Sequence, residues 1–214
     1  MIIKRSVIIA AGGSGSRMGS NIPKQFIELQ GKTILQRTLE RFRDTYPDIE
    51  IVIALPSEQL GQIDISNILV VAGGKNRFES VKNALAVSSG DLIAVHDAVR
   101  PFVSKEVIQK SFEAAELVGA AIPVLELKDS IRQLTSDESI PVDRDQYRLV
   151  QTPQVFKSNV IRLAYEQEYQ SFFTDDASVV QACGQDIALV NGNEENIKIT
   201  SPFDLKLAEF ILSR

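Results

Sequence analysis

Residues 10 to 26 read AAGGSGSRMGSNIPKQF, which places glycines at 12, 13, 15 and 19 around Arg17 and sets Lys24 shortly after them. Glycines that follow a strand let backbone N–H groups come close to a ligand, and oxyanions are the usual ligands of such turns. Three loops of this kind compete. A Walker A loop ends in Gly-Lys-Ser/Thr, which is missing here, and a GxGxxG dinucleotide fingerprint needs glycine where Met18 stands. Nor does the second apolar run end in a ribose-binding acid, since Leu55 is followed by Pro56. The third is a nucleoside triphosphate loop. In it Ala10, Ala11, Gly12, Gly13 and Gly15 form the cradle, and the cations Arg17 and Lys24 reinforce it. Attack on an α-phosphorus loads charge onto its equatorial oxygens while pyrophosphate departs, so positioned cations are what that chemistry needs. Arginine can grip two oxygens at once, and lysine supplies a mobile point charge.

A second chemical feature is HDAVRP, residues 96 to 101, which closes an apolar run at 92–95. A carboxylate at the carboxyl end of a parallel strand sits where ligands bind in such sheets. Asp97 could therefore hold Mg²⁺, directly or through water, or bond a sugar hydroxyl. One acid suffices for magnesium when phosphates supply the other oxygens. TDDA at 174–177 has the look of a helix N-cap followed by acids that the helix dipole favours. A place near a second substrate is its other reading.

Positioning these groups falls to strands alternating with amphipathic helices. Apolar runs without polar alternation occur at 6–10, 51–55, 69–72, 92–95 and 121–125, as in strands buried on both faces of a parallel sheet. Ile34, Leu35, Thr38, Leu39 and Phe42 recur at helical spacing, as do Val81, Ala84 and Leu85, and Val107, Ile108, Phe112 and Ala115. Right-handed crossovers between such elements build a doubly wound, mostly parallel α/β sheet. The rhythm breaks over about 128–151, where 136–139 reads as a turn between two short strands. A two-stranded arm is marginal alone in water, so it should pack on something, most simply a second subunit. Helices are expected at 159–169 and 175–183, strands at 187–190 and 197–200, and a closing helix at 202–212. Pro202 stands in that helix's first turn, where proline is welcome.

At 214 residues the chain suits one domain spanning 1–214, with the arm as an insertion. Hydrophobic residues make up 44 %, and no apolar run approaches a membrane span of roughly 20 residues. A net charge of −5 argues against a nucleic-acid binder built on phosphate contacts. The one cysteine, Cys183, permits no intrachain disulfide, fits a cytoplasmic setting, and reads as a small buried apolar residue.

In order along the chain, AAGGSGSRMG, PKQF, GGKNRFESVKNAL, HDAVRPF, LVQTPQVF, TDDAS and NIKIT together resemble the 2-C-methyl-D-erythritol 4-phosphate cytidylyltransferase family. The resemblance covers nearly the whole chain. It implies a Rossmann-like nucleotidyltransferase fold, CTP and a polyol phosphate as substrates, Mg²⁺, and a homodimer formed through the β-arm. By it, Arg17 and Lys24 stabilise the pentavalent transition state, while Arg144 and Lys198 position the attacking phosphate of the acceptor. In the family the arm carrying the equivalent of Arg144 reaches the neighbouring subunit's site. Ser130 falls where the family has a hydroxyl residue touching the acceptor, and Arg100 would face the acceptor too. The loop 73–80 would read the base, through the Gly74 backbone and the Ser80 hydroxyl with Arg77 in support. Lys75 departs from the acid the family often has there, and Val99 from its commoner alanine, a change shared by related ribitol-phosphate enzymes. An attacking phosphate is already anionic and needs no base, so the sole histidine, His96, reads as structural. A ribitol 5-phosphate cytidylyltransferase is the nearest alternative. A silent nucleotide-binding module would have lost its cations, and a nicotinamide-dependent oxidoreductase lacks its fingerprint.

Overall fold

The computed structural model describes residues 3–12, 22–62 and 66–214, so Gly13, Gly15 and Arg17 lie outside the described residues. Along the chain come β1 (Arg5–Ala10), β2 (Glu28–Leu29), β3 (Lys32–Thr33), α1 (Ile34–Thr45), β4 (Glu50–Leu55), β5 (Leu69–Ala72) and α2 (Arg77–Val87). Then follow β6 (Leu92–Asp97), α3 (Lys105–Val118), β7 (Ala120–Glu126), β8 (Arg132–Leu134), β9 (Ser139–Pro141), β10 (Arg148–Val150) and β11 (Gln154–Lys157). The last are α4 (Ser158–Ala164), α5 (Asp176–Gln181), β12 (Ala188–Asn191) and α6 (Pro202–Leu212).

Local chemistry sets the helix limits. Thr33 caps α1 and forms a reciprocal box with Gln36, which satisfies donors that a helix start leaves without partners. Ser104 caps α3, and Gly119 ends it at φ 107°, a left-handed conformation that glycine adopts without strain. Ser201 caps α6, with Pro202 as its first residue.

Eight strands join in one mixed sheet. β1 pairs in parallel with β4 and β6, and β4 with β5. β11 is antiparallel to β6 and β7, and β12 is parallel to β7. β10 runs along the same edge of β7 as β11, since Val150 faces Val124 and Val155 faces Ala121. From β1 the chain turns through α1 to β4 and β5 on one side, then through α2 to β6 on the other. That reversal opens a crevice outside the carboxyl ends of β1 and β6, where ligands of open α/β sheets bind.

Alternate residues of β1 feed two cores. Val7 and Ile9 pack with Leu35, Leu39 and Phe42 of α1 and with Val107, Ile108 and Phe112 of α3. Ile8 packs on the opposite face with Val81 of α2, Ile161 of α4 and Val179 of α5. Truncating a fully buried phenylalanine such as Phe42 removes about 3–5 kcal/mol, a large share of a domain's net stability.

Several expectations need correcting. Residues 197–200 form no strand, because Ile199 makes a backbone bond to the Val99 carbonyl (3.0 Å) without a ladder on either side. The alternation of Ile197 and Ile199 instead serves a small cluster under α6. The helix expected at 159–169 ends at Ala164, because Tyr165 turns inward to stack on Phe78 with ring centroids 4.6 Å apart. Cys183 is exposed, in the turn beyond α5. The cap of α5 is Asp175, in a box with Ser178, rather than Thr174.

Candidate active site

The crevice holds two adjoining lobes. One, of about 290 Å³, is lined by the Ala10–Gly12 turn, Lys24, Gln25, residues 74–77, Ser80 and residues 97–99 with Lys198. The other, of about 300 Å³, is lined by Arg100, the Val150–Gln154 return from the arm, Thr174 and Asp175. Arg77, Asp97 and Lys198 border both lobes and form the wall between them.

Each wall residue is placed by identifiable bonds. Past β1, Ala11 N–H donates to the Ala54 carbonyl (3.0 Å) and continues that pairing into the turn. Gln25 is buried under the turn, and its amide donates to Ala11 O (3.1 Å) and Gln59 Oε1 (2.7 Å). It therefore fastens the short 3₁₀ turn Lys24–Phe26 against the loop and carries Lys24 to the lobe. Across the lobe, the Ser80 hydroxyl donates to Asn76 O (2.8 Å) and accepts from Gly74 N–H (3.0 Å). Its hydrogen is spent inside the loop, so toward a ligand Ser80 offers an acceptor. A β-carbon on Gly74 would stand 2.2 Å from Glu79 Cβ, so the turn closes only around glycine.

Asp97 is the electrostatic centre. Its Oδ2 lies 3.0 Å from Lys198 Nζ and 3.3 Å from Arg100 Nε, and its Oδ1 lies 3.9 Å from Arg77 Nε. Burial pushes the Asp97 carboxyl up, but the charges of Arg77, Lys198 and Arg100 outweigh it and hold it well below the usual carboxylate range. Arg100 also donates to Asn196 O (2.7 Å), which fixes its plane. Asp97 N–H donates to the Thr152 hydroxyl (3.1 Å), and that hydroxyl lies 3.0 Å from His96 Nδ1. His96 Nε2 faces Arg100 O at 3.0 Å, so the neutral Nε2–H tautomer completes the chain. Burial depresses the His96 pKa to about 4. It is a structural residue, packed edge-on against Phe42.

Among the described residues expected from sequence, Ala10, Ala11, Gly12, Lys24, Gly74, Arg77, Ser80, Asp97, Arg100 and Lys198 gather in the two lobes. Ser130 and Arg144 do not. They stand on the exposed arm, where Arg144 bonds the Lys128 carbonyl and lies 3.9 Å from Asp145 Oδ1. Sequence reasoning gave Gln25 and Thr152 no role, and it read Asp176 only as an acid at a helix start or near the second substrate. Nothing local in the sequence reveals the bond of the Thr152 hydroxyl to β6.

A crevice at the switch point of a mostly parallel sheet, lined by the cations Lys24, Lys75, Arg77, Arg100 and Lys198, defines an α/β protein of the nucleotidyltransferase type. The model of the 2-C-methyl-D-erythritol 4-phosphate cytidylyltransferase family matches residues 5–214, and the chain belongs to that family. The curated relative of that name from Phocaeicola vulgatus is 48 % identical over 219 residues, covering 98 % of this chain and 100 % of that protein. One from Clostridioides difficile is 37 % identical and covers 97 % of this chain and 93 % of that protein. The crystal structure of the Thermus thermophilus protein of the same name superposes with a TM-score of 0.81 at 36 % identity, and the match covers 100 % of both chains.

Proposed function

We infer that this chain transfers the cytidylyl group of CTP to 2-C-methyl-D-erythritol 4-phosphate, giving the 4-diphosphocytidyl product and pyrophosphate. An oxygen of the acceptor phosphate forms the new bond to the α-phosphorus, and the bond from that phosphorus to the pyrophosphate oxygen breaks. The observation that carries the reading is the convergence of Arg77, Arg100 and Lys198 on Asp97, between two lobes of substrate size. CTP occupies the lobe of the Ala10–Gly12 turn, with Lys24 and Arg17 on its phosphates and residues 74–80 around its base. The acceptor occupies the other lobe, its phosphate held by Lys198 and Arg100. Two anions meeting in a partly dry cleft repel each other, and fixed cations at the junction remove that barrier without reorganisation.

Mg²⁺ would be held at Asp97, the one carboxylate lining the CTP lobe among the described residues, together with phosphate oxygens. The donor is of the right kind, since magnesium takes one or two carboxylates alongside substrate phosphates. The ion would neutralise charge on the triphosphate.

The chain works as a single domain, 1–214, and as a homodimer through the arm at 128–151. Leu134, Ile140, Tyr147, Leu149 and Val150 of that arm are exposed and suit burial against a partner. Arg144 and Ser130 then reach the acceptor of the neighbouring subunit. Nucleic acid is no partner of a chain with net charge −5, and soluble substrates suit the cytoplasm. No helix of the described residues is long and apolar enough to cross a membrane.

The test is pyrophosphate release from CTP and Mg²⁺ with 2-C-methyl-D-erythritol 4-phosphate and ribitol 5-phosphate side by side, the products weighed by mass spectrometry. A higher kcat/KM for the methylerythritol phosphate is expected. A preference for ribitol 5-phosphate overturns the assigned substrate.

A further inference from the structure

Asp176 has no exposed surface, yet it carries a carboxylate. Such a group is tolerated only when paired and hydrogen-bonded. Its Oδ1 accepts from Arg77 Nη1 (2.8 Å) and from the Tyr165 hydroxyl (2.6 Å), and its Oδ2 accepts from Arg77 Nη2 (2.6 Å). This fork is end-on: both terminal nitrogens of Arg77 turn to Asp176. The Nε–H then stays outside the fork, and Nε lies 3.9 Å from Asp97 Oδ1. An arginine paired side-on would have spent its Nε–H on the first carboxylate and turned away from the second.

The fork also joins two elements far apart in sequence. Arg77 opens α2, directly after the Gly73–Gly74 turn of the CTP lobe. Asp176 opens α5, directly after Thr174 and Asp175 of the acceptor lobe. Beside the fork, Phe78 stacks on Tyr165 and on Phe173, with centroids 4.6 and 5.9 Å apart, and Phe78, Tyr165 and Asp176 are all buried there. Burial works against the Arg77 charge, and the neighbouring Asp176, with Asp97 behind it, more than restores it.

We propose that Asp176, braced by Tyr165, is a positioning residue: it clamps Arg77 end-on so that the Nε–H edge serves the wall between the lobes, and it locks the two lobes in register. The proposal rests on reading the first lobe as a CTP site. Asp176 touches no substrate and acts only through Arg77.

The experiment is a double-variant cycle on CTP binding, measured by calorimetry with Mg²⁺ and no acceptor, and on kcat. Asp176→Asn keeps the shape but loses the charge. It should weaken CTP binding and lower kcat by about 10- to 100-fold in all, as when the partner orienting a ligand-holding side chain is removed. Arg77→Gln should cost at least as much, and adding Asp176→Asn to it should change neither quantity by more than about twofold. Ser178→Ala weakens the cap of the same helix without touching Arg77, so both quantities should stay at wild-type values. Should Asp176→Asn fail to fold, Tyr165→Phe removes only the hydroxyl bond. About a threefold to tenfold loss is then expected, absent in the Arg77→Gln background. Losses that add between sites 77 and 176, or wild-type CTP affinity and kcat in Asp176→Asn or Tyr165→Phe, overturn the proposal. A wild type that binds CTP but makes no product overturns the assigned reaction alone, and the binding cycle still decides the clamp. A wild type that does not bind CTP overturns both.

Discussion

Three cations share one buried carboxylate at the junction of the lobes, so Asp97 holds Lys198 and Arg100 in place before any phosphate arrives. Lys24 also lines the lobe proposed for CTP. Removing one positioned charge aimed at a transition state costs about 3–4 kcal/mol, or roughly 10²–10³ in rate. Lys24→Ala should therefore lose about that factor in kcat at saturating substrates, with an unchanged thermal melt; near-normal kcat contradicts the role. His96 makes a different prediction, on stability. The unfolded chain protonates it near 6.5, while the folded chain does so only at about 4. Its contribution is thus fully present above pH 6.5 and is lost as pH falls toward 4, on the order of 3 kcal/mol over the window. Urea melts of His96→Gln between pH 4 and 6.5 should show a flatter pH slope than the wild type; an equal slope refutes this. Residue by residue, the sequence disclosed what chemistry demands locally. Asp97 and Lys24 were legible because strand ends and glycine turns announce ligands. The pairing of Asp176 was not, because its partner Arg77 lies 99 positions away and only the fold brings them together.

Among the elements, the turn between β5 and α2 leaves least room for change. Gly74 sits where a β-carbon would meet Glu79 at 2.2 Å, and its N–H is committed to Ser80. Gly74→Ala must push Glu79 outward, and Glu79 carries the acceptor for Lys75 N–H (2.8 Å). The expected result is a CTP affinity lowered at least tenfold, read by calorimetry, with a melt within a few degrees of wild type, since the strain is confined to one turn. Unaltered affinity would mean the loop does not meet the nucleotide. Four of the five apolar runs mark strands covered on both faces, which have no polar alternation to obscure them, whereas 69–72 is the edge strand β5, with Leu69 exposed. Residues 197–200 misled for the same kind of reason: two isoleucines at alternate positions mimic an edge strand, while their real neighbours belong to α6 and Val99. The helix end at Ala164 was hidden because Tyr165 is recruited by Phe78, and an aromatic contact of that kind leaves no periodic mark.

At the scale of the molecule the question is which chain completes each site. The sheet brings ten of the expected residues to one crevice, whereas Ser130 and Arg144 remain on a projecting arm with exposed Leu134, Tyr147 and Leu149. In the proposed homodimer a paired arm would bury that apolar surface and deliver Arg144 to the partner's acceptor lobe, and that arrangement has a strict consequence for mixed dimers. A dimer of one Lys24→Ala chain and one Arg144→Ala chain has one site lacking both groups and one lacking neither. If Arg144 acts across the interface, verified heterodimers should recover about half of wild-type turnover, although each parent homodimer is nearly inactive. If it acts within its own chain, each site of the heterodimer lacks one group, and turnover stays at the level of the parents. Heterodimers carrying two affinity tags, purified in sequence and assayed for pyrophosphate release, separate the two cases. Dimerisation itself is checked in the same preparation: Leu149→Lys on the arm should shift the mass in solution to that of one chain and abolish the recovery, and a dimer that survives it places the interface elsewhere.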